Sequence, residues 1–303
     1  MTFNVTILGS NSAIPTLKRN PTAQVVNHAD RLFLIDCAEG TQVQLRKNKI
    51  KIQRINHIFI SHLHGDHFFG LIGLISSMHL LGRVKELNIF GPAQLEEILN
   101  LQLKASQTEL NYPMVFHPTE PSEHKTIYED QKLIISTIPL NHRIPTCGFL
   151  FQEKQGKRRV KKEKIKNLDI PVDQLFNIRN GEDFKQEDGT SIDNTEITDP
   201  PRKIRSYAFC SDTSYFEPII PIIKGADLLY HETTFMQDRA QAAADKFHTT
   251  TIEAATIAKK AGVKRMIIGH FSNRYDDPNL LLDEARTVFK NTQLAMDGRV
   301  FEV

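Results

Sequence analysis

The sequence predicts a layered α/β domain with mixed sheets and its helices outside, interrupted by one long basic insertion. Two observations predict the layers. Short runs of β-branched and aromatic residues recur between Gly, Asn, Pro and Asp, and stretches of helical periodicity fall among them without strict βαβ alternation. A third predicts the insertion: residues 151–168, FQEKQGKRRVKKEKIKNL, hold eight Lys/Arg and two Asp/Glu, a local charge of +6 in a chain whose formal net charge is +2.

Composition bounds the class. The chain has 303 residues, 40% hydrophobic and 24% charged, which is ordinary for a folded protein and excludes disordered, collagen-like and low-complexity chains. Its three cysteines, Cys37, Cys147 and Cys210, lie far apart and are odd in number, unlike a secreted disulfide framework. The opening MTFNVTILGS has neither the basic region nor the apolar region of a signal peptide. No apolar run approaches the roughly 20 residues of a membrane span. A cytoplasmic protein without membrane association is expected.

In order along the chain, Phe3–Leu8, Ala23–Val26 and Arg31–Ile35 read as strands. Ile55–Ile60 is a further strand leading into Ser61-His62-Leu63-His64-Gly65-Asp66-His67. Apolar residues then recur at helical spacing through Phe69, Leu71, Ile72, Ile75, Met78 and Leu81, so the His/Asp cluster falls on a strand-to-helix loop. A strand at Leu87–Phe90 and a helix from Pro92 to Lys104 follow, then strands at Met114–His117, Leu133–Pro139 and Gly148–Phe151. Beyond the insertion, strands return at Ile204–Cys210 and Asp227–Tyr230, with a helix at Thr251–Ala261, a strand at Arg265–Ile268 and a helix at Pro278–Phe289.

The insertion is too long for an ordinary connection, and after its basic start it turns acidic and turn-rich. Residues 1–303 are therefore read as a single domain with 151–203 as an inserted, projecting arm. A charge run is commonly a solvated face, but clustered Lys/Arg also neutralise phosphates. Charge alone does not choose between these readings.

His62, His64, Asp66 and His67 form H-x-H-x-D-H. Neutral imidazole nitrogens and carboxylate oxygens are the ligand set of borderline divalent metals such as Zn²⁺. Alternating residues of an extended segment point the same way, so His62 and His64 can share one metal. The chain tightens at Gly65 and aims Asp66 and His67 at a second. More ligands are expected at other strand ends, where His142, Asp212 and His270 each follow an apolar run. Asp212 is the natural bridge, because a carboxylate has two oxygens. Two cations roughly 3.5–4 Å apart lower the pKa of a water between them and clamp a phosphoryl displacement. Asp66 stands where it can accept the water's proton.

The residues 61–67 with His142, Asp212 and His270 resemble the metallo-β-lactamase superfamily. More narrowly, the chain is similar to the ribonuclease Z family, endonucleases that trim the 3′ end of precursor tRNA. The likeness runs nearly end to end. It includes Leu8-Gly9-Ser10, Ile14-Pro15-Thr16, Arg19-Asn20, Ile35-Asp36-Cys37-Ala38-Glu39-Gly40-Thr41, Leu80-Leu81-Gly82-Arg83, Ser211-Asp212-Thr213, His231-Glu232-Thr233-Thr234-Phe235, His248-Thr249-Thr250 and Gly269-His270-Phe271-Ser272-Asn273-Arg274-Tyr275.

The resemblance implies an αββα sandwich with metals at the sheet edges. It implies two Zn²⁺ per chain, one on His62, His64, His142 and Asp212, the other on Asp66, His67, Asp212 and His270. Asp66 would be the proton acceptor, His248 the donor to the scissile phosphate or leaving 3′ oxygen, and Glu232 the residue that orients His248. Thr250 and Glu253 also fit a capping box, and Glu39 and Thr41 fit caps of the next helix. The arm resembles the family's tRNA-gripping exosite, although it carries KRRVKKEKIK where Gly and Pro are usual. The implied partner is precursor tRNA, not DNA, and a homodimer is implied as well. The alternative is a small-substrate metallo-phosphodiesterase or related hydrolase, which needs the metals and not the arm.

Overall fold

The structure, a computed structural model, describes residues 1–186 and 188–303. The β-rich runs of the first third become β1 (Phe3–Gly9), β2 (Ala23–His28), β3 (Arg31–Ile35), β4 (Ile55–Phe59), β5 (Leu87–Gly91) and β6 (Met114–Pro118). The later runs become β7 (Thr126–Glu129), β8 (Leu133–Pro139), β9 (Cys147–Glu153), β10 (Ser206–Cys210), β11 (Leu228–Glu232), β12 (Met266–Gly269) and β13 (Thr292–Leu294). The chain then returns to the first sheet as β14 (Val300–Glu302). One seven-stranded sheet runs β14-β1-β2-β3-β4-β5-β6 and the other β13-β12-β11-β10-β9-β8-β7.

Alternation within the strands sorts the side chains. Phe33 of β3 and Phe59 of β4 face the second sheet and meet Phe151 and Phe149 at ring separations of 5.9 and 5.5 Å. Their neighbours Leu34 and Ile58 face outward, under Leu74, Ile75 and Met78 of the helix Leu71–Leu80 and Leu95 and Leu99 of the helix Gln94–Ala105. On the second sheet Ala208, Leu229 and Ile268 lie under Ala254 and Ala258 of the helix Thr251–Ala261. The result is an αββα sandwich. Fully burying each large apolar side chain is worth about 1.5–3 kcal/mol.

β3–β6 pair in parallel, as do β10–β13. Parallel strands bring their C-terminal ends to one edge of a sheet, so Asp36, His62, Asp212, Glu232 and His270 all stand at or just past such ends.

The structure departs from the sequence reading in several places. The helical periodicity through Phe69 and Leu81 divides into Gly65–Phe68 and Leu71–Leu80, while Phe69 and Leu81 are 60% and 63% exposed. At the break the backbone bonds outside the helix and packs closely on a neighbouring segment. Gly70 donates to Cys37 O at 2.9 Å, and a Cβ on it would lie 2.0 Å from Ala38 O. Glu39 and Thr41 do not cap the helix Thr41–Lys47; Gly40, at φ 79°, stands at its N-cap with no side-chain bond. Thr250 and Glu253 do form a capping box.

The chain divides into two compact units: Met1–Tyr128, Ile135–Phe151 and Ser206–Val303 form one, and Glu129–Ile134 with Gln152–Arg205 the other. The second unit thus takes in the β7–β8 turn as well as the insertion. It has its own apolar cluster, in which Ile170, Ile178, Phe184 and Ile197 are buried with Val160, Leu168, Leu175 and Ile192 against them. The buried Asn194 amide ties it together, donating to Ile178 O at 2.7 Å and Glu182 O at 2.6 Å. Among the described residues no helix is long and apolar enough to cross a membrane.

Candidate metal centre

The extended segment after β4 carries His62 and His64, and a short helical turn at Gly65–Phe68 carries Asp66 and His67. The two conformations send the pairs to different places. His62, His64, His142 and Asp212 offer ligand atoms that all lie within 4.8 Å of one another, and so do Asp66, His67 and His270. His64 Nδ1 is 3.1 Å from His62 Nε2 and 3.2 Å from His142 Nε2. Asp212 joins the groups. Its Oδ2 lies 3.7 Å from His62 Nε2 and 3.9 Å from His142 Nε2, and its Oδ1 lies 3.4 Å from His67 Nε2 and 3.3 Å from His270 Nε2. Asp66 Oδ2 is 3.6 Å from His67 Nε2 and 3.5 Å from His270 Nε2.

These residues fit a metal pair on chemical grounds. His67 Nε2, His270 Nε2 and Asp212 Oδ1 are buried, converge on one another and have no hydrogen-bond partner. Buried polar atoms without partners are rare in native proteins and mark places where an ion or water belongs. Burial, reinforced by the neighbouring His67, holds the His62 ring well below the usual histidine range, so it is neutral with a free lone pair. Burial also favours a neutral His67, but the carboxylates of Asp212, Asp66 and Asp36 outweigh it and hold that ring well above its ordinary value. Three carboxylates around one imidazole call for a cation.

Behind the ligand atoms lie residues the sequence reading did not assign. Asp36 is fully buried and has a left-handed backbone at φ 53°. It accepts the His67 ring N–H at Nδ1 (2.7 Å), the Ser61 backbone N–H (2.8 Å) and the Ser61 hydroxyl (2.9 Å). His270 is likewise left-handed, at φ 60°. Such strain in non-glycine residues collects at functional sites. The available sequence signal for Asp36 was its place after the apolar run Leu32–Ile35, the same signal that singled out Asp212. His142 Nδ1 donates to Phe247 O at 2.8 Å. Arg143 donates to His64 Nε2 at 3.2 Å. That contact needs Nε2 as acceptor, the tautomer opposite to the one that offers Nδ1 to a metal, so the two exclude one another.

Glu232 and His248 meet beside the centre. His248 Nδ1 donates to Glu232 Oε1 at 2.9 Å, and its ring lies 5.3 Å from His142 and 5.5 Å from His270. Burial opposes charge on His248, but the Glu232 carboxylate overrides it and pushes the pKa up to about 9. Glu232 itself is fully buried and also accepts the Thr213 and Thr249 backbone N–H groups. A cleft of about 580 Å³ opens beside His142, lined among others by Pro92, Thr119, Glu120 and Arg143. Another of about 230 Å³ opens beside His248, lined by Ala13, Phe235, Lys246 and Arg274 among others, with both cations over the Phe235 ring.

Comparison with known proteins assigns the whole chain. A family model described as anti-Pycsar protein Apyc1 matches residues 3–165, a span that ends before Asp212, Glu232, His248 and His270. The curated relatives match those residues' stretches too. One, named ribonuclease Z, from Phocaeicola vulgatus, is 50% identical over 295 residues, covering 97% of this chain and 96% of the relative. The chain belongs to the ribonuclease Z family. A second ribonuclease Z, from Bacteroides fragilis, is 48% identical over 98% of this chain and 97% of its own. Among solved structures, the short form of human tRNase Z superposes with a TM-score of 0.72 at 27% identity, covering 98% of each chain. A metallo-β-lactamase fold protein from Bacillus subtilis, at 20% identity and a TM-score of 0.70, shares the fold. Membership in the ribonuclease Z family covers the stretch around the ligand-type residues, the Glu232–His248 pair and the second compact unit alike.

Proposed function

We propose that this chain is a zinc-dependent endoribonuclease that removes the 3′ trailer of precursor tRNA by attack of an activated water on a phosphodiester. The observation that carries the reading is Asp212 standing between two ligand groups, one carboxylate oxygen toward each, with the His248–Glu232 pair alongside. The family membership supplies the substrate class.

His62, His64, His142 and Asp212 would hold one ion, and Asp66, His67, His270 and Asp212 the other. Divalent cations held there would supply Lewis acidity, which makes water more acidic and offsets negative charge on a phosphate. Asp66 Oδ2 is anchored by the Ala13 N–H at 2.8 Å, which leaves Oδ1 to accept the water's proton. His248, protonated at neutral pH, donates from Nε2 to the leaving 3′ oxygen while Glu232 fixes its ring through Nδ1. Lys246 and Arg274 place positive charge where the RNA backbone passes His248.

The second unit would hold the body of the tRNA through phosphates, reading shape rather than bases. Lys162, Lys164 and Lys166 support this: they share the helix Lys162–Asn167, and among the described residues no carboxylate forms an ion pair with them. Arg159, by contrast, pairs with Asp199 at 3.6 Å. A homodimer in which one subunit's insertion grips RNA cut by the other fits the family, and a cytoplasmic location fits the three buried, unpaired cysteines.

The test is incubation of the zinc-loaded chain with a 3′-extended precursor tRNA, mapping the cut to the nucleotide. A single cut after the acceptor stem, abolished in Asp66→Ala with the fold intact, is the expected result. Turnover of bis(p-nitrophenyl) phosphate without tRNA cleavage would instead establish the small-substrate phosphodiesterase.

A further inference from the structure

Four ring nitrogens that face away from the ligand groups have partners in two matching sets. Asp36 accepts His67 Nδ1 directly at 2.7 Å. Ser61 Oγ donates to the same carboxylate at 2.9 Å and stands 3.0 Å from His62 Nδ1. Across the centre, Glu232 accepts His248 Nδ1 directly at 2.9 Å. Thr234 Oγ1 donates to Glu232 Oε2 at 2.8 Å and stands 2.9 Å from His270 Nδ1. Each buried carboxylate therefore holds one histidine itself and a second through a hydroxyl.

Counting protons gives these contacts a direction. A hydroxyl has one proton to donate. Glu232 is surrounded by donors, namely the backbone N–H groups of Thr213, Thr249 and Thr234 and the His248 ring, so its oxygens accept only. The Thr234 proton is committed to Oε2, and its oxygen can only receive from His270. His270 then carries its proton on Nδ1 and leaves a bare lone pair on Nε2. That atom is the buried, unpartnered one that lies 3.3 Å from Asp212 Oδ1 and 3.5 Å from Asp66 Oδ2. The opposite tautomer would set two lone pairs face to face at the 2.9 Å contact. Ser61 Oγ has a further neighbour, Ser211 Oγ at 3.0 Å; with the Ser61 proton on Asp36 and Ser211 donating to Ser61, the His62 proton falls on Nδ1 and Nε2 is free toward Asp212.

We propose that Thr234, and by the same logic Ser61, are positioning residues that fix the tautomers of His270 and His62 and thereby decide which nitrogen each offers to the metal pair. The proposal rests on the reading that these histidines are ligands. It adds that two hydroxyls, neither of them a ligand, set the ligands' protonation.

Thr234→Val keeps the branched shape and removes the hydroxyl, and Thr234→Ser keeps the hydroxyl. With the full chain loaded with Co²⁺, chelator competition is expected to release one of the two ions from Thr234→Val at roughly 10- to 100-fold lower chelator concentration, with Thr234→Ser within about threefold of the parent. Long-range ¹H–¹⁵N spectra of the metal-loaded parent, labelled at histidine and assigned by the signal missing in His270→Gln, are expected to show His270 protonated at Nδ1. Equal ion retention by Thr234→Val and the parent overturns the proposal, as does a Thr234→Ser chain as weak as Thr234→Val. A parent His270 protonated at Nε2 overturns it without reference to any variant's folding. None of these measurements involves RNA, so failure to cleave tRNA would count against the proposed function and leave this result separate.

Discussion

Asp36 Oδ2 accepts the His67 ring N–H at 2.7 Å while Asp36 Oδ1 accepts the Ser61 backbone N–H at 2.8 Å. Both oxygens receive, so an amide in this place points an N–H at a donor whichever way it turns. Asp36→Asn is therefore expected to cost about 1–3 kcal/mol of stability and to weaken metal retention roughly 10- to 100-fold. Urea unfolding and chelator competition read the two effects separately. An unchanged variant would show that the carboxylate does not set the His67 ring.

Gly70 is wedged where a Cβ would lie 2.0 Å from Ala38 O, next to the contact in which Cys37 N–H donates to His67 O at 2.7 Å. Gly70→Ala must push these two segments apart, for about 1–3 kcal/mol as in other overpacked sites. Because the displaced segments carry Asp36 and His67, metal content is expected to fall along with the urea midpoint.

His57 gives the fold an acid sensitivity away from the metal centre. Its ring lies among Phe33, Phe90 and Tyr128, and burial first, then the charge of Arg31, lowers its pKa to about 4. The unfolded chain, near 6.5, binds the proton more readily, so the contribution is whole above pH 6.5 and is lost as pH falls toward 4. The loss is at most on the order of 3 kcal/mol, reduced by solvent screening of the partly exposed ring. His57→Phe is expected to flatten the dependence of unfolding free energy on pH across that window, measured by urea titration at several pH values.

If the insertion holds RNA as proposed, reversing charge on the helix Lys162–Asn167 will separate binding from chemistry. The triple change Lys162→Glu, Lys164→Glu and Lys166→Glu is expected to reduce precursor-tRNA cleavage at least about tenfold at moderate salt, to shallow its salt dependence, and to spare bis(p-nitrophenyl) phosphate hydrolysis. Equal loss of both activities would place these lysines in service of the fold.

The sequence exposed the centre unevenly, for physical reasons. His62, His64, Asp66 and His67 lie within six positions on one loop, so their chemistry is visible as a pattern. His142, Asp212 and His270 were visible only as polar residues ending apolar runs. Asp36 ends such a run too, but its role depends on where His67 Nδ1 points, which no spacing reveals. Ser61 and Thr234 lie in stretches that resemble the family, but nothing in the sequence gives them a role, since hydroxyls are common and only distance gives them a partner. The sheets were legible where β-branched residues cluster. The three-residue strands β13 and β14 were not, being too short to show a period. The insertion's charge was plain and its interior was not, because Ile170, Ile178, Phe184 and Ile197 stand singly among polar neighbours and meet only in space.

That small interior makes the insertion a cassette. Its cohesion comes from its own isoleucines, phenylalanine and Asn194, none of which is a ligand-type residue of the centre. On the proposed function, exchange of this segment between relatives should carry preference for RNA bodies with it and leave hydrolysis of a small phosphodiester unchanged.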